Sequence, residues 1–216
     1  MLPVTNQPHP FYLPERFGVF DLETQKSAQE VGGWHKAELM RISVAVLYES
    51  EGQQFITFTE NSIDELINDL FALDLVVGFN NKRFDNTVLA AYTDRDLGLL
   101  PSFDLLEAIT SQLGYRLSMD RLAEKTLRVK KNGDGLQALD WFKKGELDKL
   151  AGYCRKDVGI TRDLFLFGLR QQHLLFQNKA GLEVRLPVDF SRSISEILVR
   201  RHRMLRARQD LYAPSR

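Results

Sequence analysis

Two acidic residues, Asp21 and Glu23, occupy alternate positions at the end of the apolar run 17–22. Alternate residues of a strand project from one face, so the two carboxylates are expected side by side. Neighbouring carboxylates repel each other, and a hard divalent ion such as Mg²⁺ or Mn²⁺ relieves that repulsion. A solvated strand end explains the same pair without a metal. The pair therefore indicates a metal site only when further acids join it.

Two more acids follow along the chain. Residues 76–80, Val-Val-Gly-Phe-Asn, form a predicted strand that leads into a helix beginning near Asp85. An acid at that position also serves as a helix cap. Asp157 follows Tyr153 by four residues in a predicted helix from about 146 to 175, so both lie on one face, one turn apart. A surface acid beside a partly buried tyrosine gives the same pattern.

Taken in order, these motifs resemble those of the ribonuclease-H-like 3′–5′ exonucleases that use four acidic ligands and a tyrosine. The pattern is similar to the proofreading domains of family B DNA polymerases and to nuclease-like domains appended to some bacterial helicases. The matching segments are Phe20-Asp21-Leu22-Glu23, then Gly78-Phe79-Asn80 with Phe84, Asp85 and Leu89, then Tyr153-Cys154 with Asp157. The resemblance covers about residues 17–175 and leaves the last 40 or so residues unmatched.

The resemblance implies a site in which Asp21, Glu23, Asp85 and Asp157 bind two Mg²⁺ or Mn²⁺ ions and Tyr153 orients water. The histidine branch of the family carries a histidine five residues before its last aspartate, where this chain has Gly152. Two divalent ions about 3.5–4 Å apart stabilise the attacking and leaving oxygens during phosphodiester hydrolysis. Four carboxylates balance the charge of two such ions.

Candidate nucleic-acid contacts are aromatic, amide and basic side chains near the motifs and in the C-terminal segment. They are Trp34, Asn80, Phe84, Lys130, Lys131, Arg200, Arg201 and Arg203. Core packing explains Trp34 equally well, and the arginine-rich segment suits either a nucleic-acid backbone or an acidic protein partner. The basic stretch 121–149, which contains Trp141 and Phe142, is either a stacking surface or a solvated helix face with core aromatics.

The charge of the chain is unevenly distributed. The net charge is zero, but residues 1–120 carry 8 basic and 18 acidic residues (−10), and residues 121–216 carry 21 and 11 (+10). The basic half could attract a polyanion and the acidic half a divalent cation, unless the two halves interleave in the fold and their charges mix. The chain lacks a long apolar run and a secretion signal, and it has a single cysteine, Cys154. These features predict a soluble cytoplasmic protein without membrane contact.

The elements that must position the site follow from apolar periodicity. Strands are predicted at 17–22, 41–48, 54–59 and 73–79, and helices at 61–71, 84–95, 119–127 and 146–175. The sequence thus predicts an α/β fold, and the resemblance specifies a single ribonuclease-H-like domain over 17–190 with helices on both faces of a mixed sheet. An extended arm, 1–16, precedes it, and an arginine-rich helix and tail, 191–216, follow it. Asp104 is expected to cap a helix, and Cys154 is expected in the core.

The predicted function is metal-dependent 3′–5′ exonuclease activity that releases nucleoside 5′-monophosphates from single-stranded nucleic acid by a two-metal-ion mechanism. Two alternatives stay open: a structure-specific endonuclease on the same fold, and a nucleic-acid-binding or helicase-partner module with weak nuclease activity. The presence of all four acids and Tyr153 argues against a dead site. Nothing in the sequence distinguishes DNA from RNA, because that choice rests on a contact to the 2′-hydroxyl.

Overall fold

The computed structural model of the chain describes residues 13–129 and 135–211, with side chains up to Arg206. Most of the predicted N-terminal arm, together with Lys130 and Lys131, lies outside the described residues. Across these two ranges, none of the helices combines the length and the apolar character needed to cross a membrane.

A five-stranded mixed sheet forms the centre of the fold, with the strand order β3-β2-β1-β4-β5. Its strands are β1 (Phe17–Thr24), β2 (Ile42–Glu49), β3 (Gln54–Thr59), β4 (Leu75–Gly78) and β5 (Ser102–Asp104). The first three strands pair antiparallel, whereas β4 and β5 run parallel to β1. A separate antiparallel hairpin consists of β6 (His173–Gln177) and β7 (Glu183–Pro187). The prediction of a mixed sheet with helices is confirmed.

Eight α-helices accompany these strands in the described part of the chain. They are α1 (Ala28–Val31), α2 (Ile63–Ala72), α3 (Asp85–Leu89), α4 (Leu105–Leu113), α5 (Met119–Thr126), α6 (Gly135–Lys143), α7 (Leu147–Gln171) and α8 (Phe190–Leu211). Short 3₁₀ helices lie at Trp34–Leu39, Glu60–Ser62, Ala90–Tyr92 and Leu97–Leu99.

Two apolar layers cover the two faces of the sheet. Along β1, Phe17 and Val19 belong to the layer that contains α7, whereas Phe20 and Leu22 belong to the layer that contains α2. This division follows from the alternation of side chains along a strand. Asp21 and Glu23 continue the odd-numbered series of β1, so they face the same side as α7.

Two predicted helices are too long. The helix predicted over 84–95 is α3, which ends at Leu89 before a 3₁₀ turn. The helix predicted to about residue 175 ends at Gln171, because Gln172 adopts a left-handed conformation with φ 54°. The residues that follow form β6, in which Leu174 and Phe176 are buried on alternate positions. A two-residue period within a short segment is easily absorbed into a helical pattern, which is why the hairpin was not predicted.

The arginine-rich helix packs against the sheet. On the apolar face of this helix, Ile194 and Leu198 are buried, whereas Leu205 is 37% exposed. Phe190, the first residue of α8, packs edge-on against Phe103 of β5 with ring centroids 5.1 Å apart. The first half of α8 therefore shares the apolar layer that contains α7.

Candidate metal centre

Three carboxylates meet where the central strand β1 faces α7. Asp21 and Glu23 extend from the end of β1, and Asp157 extends from α7. One ligand oxygen from each residue lies within 4.8 Å of the other two. Asp157 is only 3% exposed, and the other two are half-buried. Acids more than 130 residues apart in the chain are thus brought together, as the motif order predicts.

Asp85, the first residue of α3, approaches the same strand end. Its Oδ1 accepts a hydrogen bond of 3.2 Å from the backbone amide of Leu22, the residue between Asp21 and Glu23. That amide lies beyond the three residues of β1 that pair with β4, 17–19, so it remains open to a side chain. Asp85 is 3% exposed, and burial raises its pKa to about 7, with a smaller contribution from the charge of Asp104.

Cys154 lies beside Asp21. Its thiol Sγ is 3.3 Å from the carbonyl oxygen of Asp21 and 3.8 Å from that residue's Oδ2. Burial raises the pKa of the thiol well above its usual value, and the charges of Asp21, Glu23, Asp157 and Asp85 raise it further. Cys154 is fully buried, which confirms its predicted core position, and the neutral thiol is a poor nucleophile.

Asp104 anchors the turn that delivers Asp85. As predicted, it caps a helix: its Oδ1 accepts from the backbone amide of Glu107 in the first turn of α4. The same carboxylate accepts from the backbone amides of Asn80 (2.9 Å) and Lys82 (3.2 Å). Helix capping by an aspartate is recognisable from sequence. The bonds to the Asn80 and Lys82 amides form only because β5 lies beside β4, and no local sequence pattern indicates them.

Gly78 ends β4 where the chain turns tightly. A Cβ atom at this position would clash with the side chain of Asn81, which is fully buried. Asn80 adopts a left-handed conformation with φ 71°, which asparagine tolerates better than most residues. Its side-chain oxygen accepts a hydrogen bond from Arg116. The conformation of this turn therefore explains the glycine and the asparagine of Gly-Phe-Asn, in addition to the resemblance of this segment to the family motif.

Tyr153 lies one turn before Asp157 on α7, as predicted. It is 6% exposed, and its ring packs edge-on against Trp141 of α6 with centroids 5.8 Å apart. Trp141 is half-buried, so its ring serves as packing for the tyrosine at this position. The basic residues near it are engaged on the surface, since Lys143 pairs with Glu30 at 2.8 Å.

Trp34 and Phe84 form an aromatic pair. Their ring centroids are 5.8 Å apart at an interplanar angle of 66°. Trp34 is 71% exposed, so the core-packing alternative for this residue is wrong. Phe84 directly precedes Asp85 in the chain. An exposed indole supported by a second ring offers a face on which a base can stack.

The arginines of α8 fall into two kinds. Arg201 is half-buried and donates a hydrogen bond to the carbonyl oxygen of Phe71 in α2. Arg200 and Arg203 are exposed. The three residues that the sequence groups together as nucleic-acid contacts therefore do not share one environment.

Comparison with models of known protein families finds no match, and comparison with curated proteins finds no significant relative.

The chemical type of the ligand atoms indicates which metal ion would suit the candidate centre. Asp21, Glu23 and Asp157 could hold a metal ion through carboxylate oxygens, which favour Mg²⁺ or Mn²⁺, whereas structural zinc favours cysteine and histidine. These three residues fit the predicted divalent ions, and Asp85 lies outside their group.

Proposed function

We propose that this protein is a metal-dependent 3′–5′ exonuclease that hydrolyses single-stranded nucleic acid to nucleoside 5′-monophosphates. The observation that carries the proposal is the meeting of ligand oxygens of Asp21, Glu23 and Asp157 within 4.8 Å. Asp85 is not part of that group, but it accepts a hydrogen bond from the amide of Leu22, the residue between Asp21 and Glu23. Acids from β1, from the segment after β4 and from α7 are the set that the resemblance implies.

The arrangement of the sheet supports the same proposal. Three antiparallel strands followed by two parallel ones, in the order β3-β2-β1-β4-β5, are compatible with a ribonuclease-H-like domain. Placing the acids at the end of the central strand and on a helix packed against it agrees with that fold. Because one fold serves many functions, the site carries the functional argument and the fold only supports it.

The chemistry divides among the chain's own residues. Asp21, Glu23, Asp85 and Asp157 would hold two Mg²⁺ or Mn²⁺ ions, which when bound supply charge stabilisation to the attacking and leaving oxygens. The hydroxyl of Tyr153 would hold the attacking water by a hydrogen bond and need not ionise. A tyrosine ring fixed against Trp141 is held in position for that task.

The aromatic pair would position the 3′ end. A terminal base stacked on Trp34, with Phe84 behind it, would place the last phosphodiester near Asp85. Stacking accepts any base because every base has a π face, so we expect weak sequence preference. The exposed arginines of α8, Arg200 and Arg203, would add backbone contacts whose strength falls with salt.

The decisive experiment uses 5′-labelled single strands of DNA and RNA, with matching circular strands, in Mg²⁺, Mn²⁺ or EDTA. We expect a ladder that shortens from the 3′ end with either metal, intact circles, and no cleavage in EDTA. Asp157→Asn should abolish cleavage, and it should also reduce the rise in melting temperature that Mn²⁺ produces by binding the folded state. Asp163→Asn is the matched control, because Asp163 is exposed on the same helix α7.

Cleavage of circles at the rate of linear strands would establish the endonuclease alternative. Binding of nucleic acid without metal-dependent cleavage would establish the binding-module alternative. A melting temperature unaffected by saturating Mn²⁺ and Mg²⁺ would contradict the metal site itself. Equal loss of activity in Asp157→Asn and Asp163→Asn would show that charge on α7, rather than this carboxylate, is responsible.

A further inference from the structure

A cavity of about 330 Å³ lies between α8, the loop before β5 and the turn that precedes α3. Small-ligand sites span about 300–1,000 Å³, so the volume is at the lower end of that range. The residues that α8 contributes follow a helical spacing that brings them to one face: Ile197, Arg200, Arg201 and Met204. Residues 97–101 supply an apolar wall opposite them.

The lining of this cavity is positively charged. It includes Lys82, Arg200 and Arg201, and among its lining residues, all of which belong to the described ranges, there is no aspartate or glutamate. Lys82 pairs with Glu107 at 2.6 Å outside the cavity, but both side chains are substantially exposed, so solvent screens the pair. The cavity therefore favours an anion.

A neighbouring cavity shows that this charge is not a general property of the surface. It shares Lys82 and Arg200 with the first cavity, yet four carboxylates also line it. These are Asp104, Glu107, Asp189 and Glu196. Acids outnumber bases there by two, so an anion has reason to prefer the first cavity.

Two buried polar atoms belong to residues that line the first cavity and lack partners. Ser102 is 7% exposed at the start of β5, and its Oγ has no hydrogen-bond partner among the described residues. The same holds for Oδ1 of Asn86, directly after Asp85. A buried polar group without a hydrogen-bond partner destabilises the folded state, so an unsatisfied group in a native structure indicates that a ligand or water binds there.

We propose that this cavity binds a phosphate-bearing ligand. Lys82 and Arg200 neutralise the phosphate, and the Ser102 side chain rotates so that its hydroxyl, which solvent does not reach in the free protein, donates a hydrogen bond to a phosphate oxygen. The side-chain oxygen of Asn86 likewise turns to accept from a hydroxyl or amino group of the same ligand, and the apolar wall contacts its sugar or base. A free nucleotide and a nucleic-acid strand both present this chemistry. The proposal does not require nuclease activity, because none of these residues is a ligand of the metal centre.

The test measures binding to the full chain in EDTA, so that the metal centre does not contribute. Inorganic phosphate, adenosine 5′-monophosphate and a short single-stranded oligonucleotide without terminal phosphates are titrated by calorimetry and by amide chemical shifts. We expect Arg200→Gln to weaken binding of adenosine 5′-monophosphate about tenfold, since it removes a charge-assisted contact. Arg192→Gln is the matched control, because Arg192 is an exposed arginine on α8 that does not line the cavity.

Ser102→Ala separates a ligand role from a structural one. Because the hydroxyl has no partner in the protein, its removal should leave the urea midpoint unchanged or raised while weakening binding of adenosine 5′-monophosphate. Tight binding of the monophosphate identifies a free-nucleotide site, and preference for the oligonucleotide identifies a strand-phosphate site. Absence of binding by all three probes at millimolar concentration would overturn the proposal. Equal losses in Arg200→Gln and Arg192→Gln would overturn it as well.

Discussion

Replacing Asp85 with asparagine tests the electrostatics of the buried carboxylate in the metal-free protein. Burial raises the pKa of Asp85 from 3.8 to about 7. The folded state therefore favours the protonated acid, and this group's contribution to stability is lost as the pH rises from about 4 through about 7. Asparagine retains the oxygen that accepts from the Leu22 amide and carries no charge, so the variant avoids that loss.

The expected difference in unfolding free energy between Asp85→Asn and the parent follows from the linkage between protonation and folding. A shift of one pKa unit corresponds to about 1.4 kcal/mol of unfolding free energy. Between about pH 5 and about pH 8, the raised pKa of Asp85 lowers the stability of the parent protein by about two such units. Asp85→Asn should therefore gain roughly 2–3 kcal/mol of unfolding free energy over the parent protein across that interval. A loss of about one further unit is already present at about pH 5, so the two proteins should become nearly equal only below about pH 4.

Urea denaturation in EDTA at both pH values measures this difference. Trp141, half-buried against Tyr153, provides a fluorescence signal for unfolding. Asp94→Asn serves as the control, because Asp94 is exposed and the substitution makes the same chemical change. A stability difference between the parent and Asp85→Asn that is the same at both pH values would refute the argument. Mn²⁺ should narrow the stability difference at high pH by stabilising the parent more than the variant, which lacks one proposed ligand.

Three further substitutions test other parts of the structure. Tyr153→Phe should lower turnover about 100-fold while Mn²⁺ still raises the melting temperature as in the parent, and near-parental turnover would leave the tyrosine as a packing residue. Gly168→Ala should cost about 1–3 kcal/mol in urea denaturation, because the new methyl group meets the ring of Phe190, and an unchanged midpoint would show that the ring moves freely. Arg201→Gln should lower the unfolding free energy by about 1 kcal/mol in urea denaturation because it loses the bond to the Phe71 carbonyl, and an unchanged midpoint would show that this bond does not stabilise the fold.

The parts of the site that were predicted from sequence are those with a local period. Asp21 and Glu23 share a strand face, and Tyr153 and Asp157 share a helix face, because each pair is separated by one repeat of its element. The helix α7 is visible in the sequence because Leu150, Cys154, Val158 and Phe165 recur at helical spacing and are all buried. Local order is enough to orient these side chains once the element type is known.

The features of the site that could not be predicted from sequence depend on contacts between distant segments. The bond from Asp85 to the Leu22 amide exists because β4 pairs with only three residues of β1. The exposure of Trp34 depends on where the chain turns after β1, and the second role of Asp104 depends on β5 lying beside β4. The hairpin β6–β7 was missed because its two-residue period is brief and directly follows a long helix.

The distance along the chain between Asp21 and Cys154, 133 residues, links the metal centre to the order of folding. Contacts of such long sequence separation close late, because the loop entropy must be overcome before the contact stabilises anything. During synthesis, Asp21, Glu23 and Asp85 emerge well before Asp157. A nascent chain therefore lacks one of the four proposed ligands until α7 docks on β1, so ion binding at the proposed centre would show that these two segments have met.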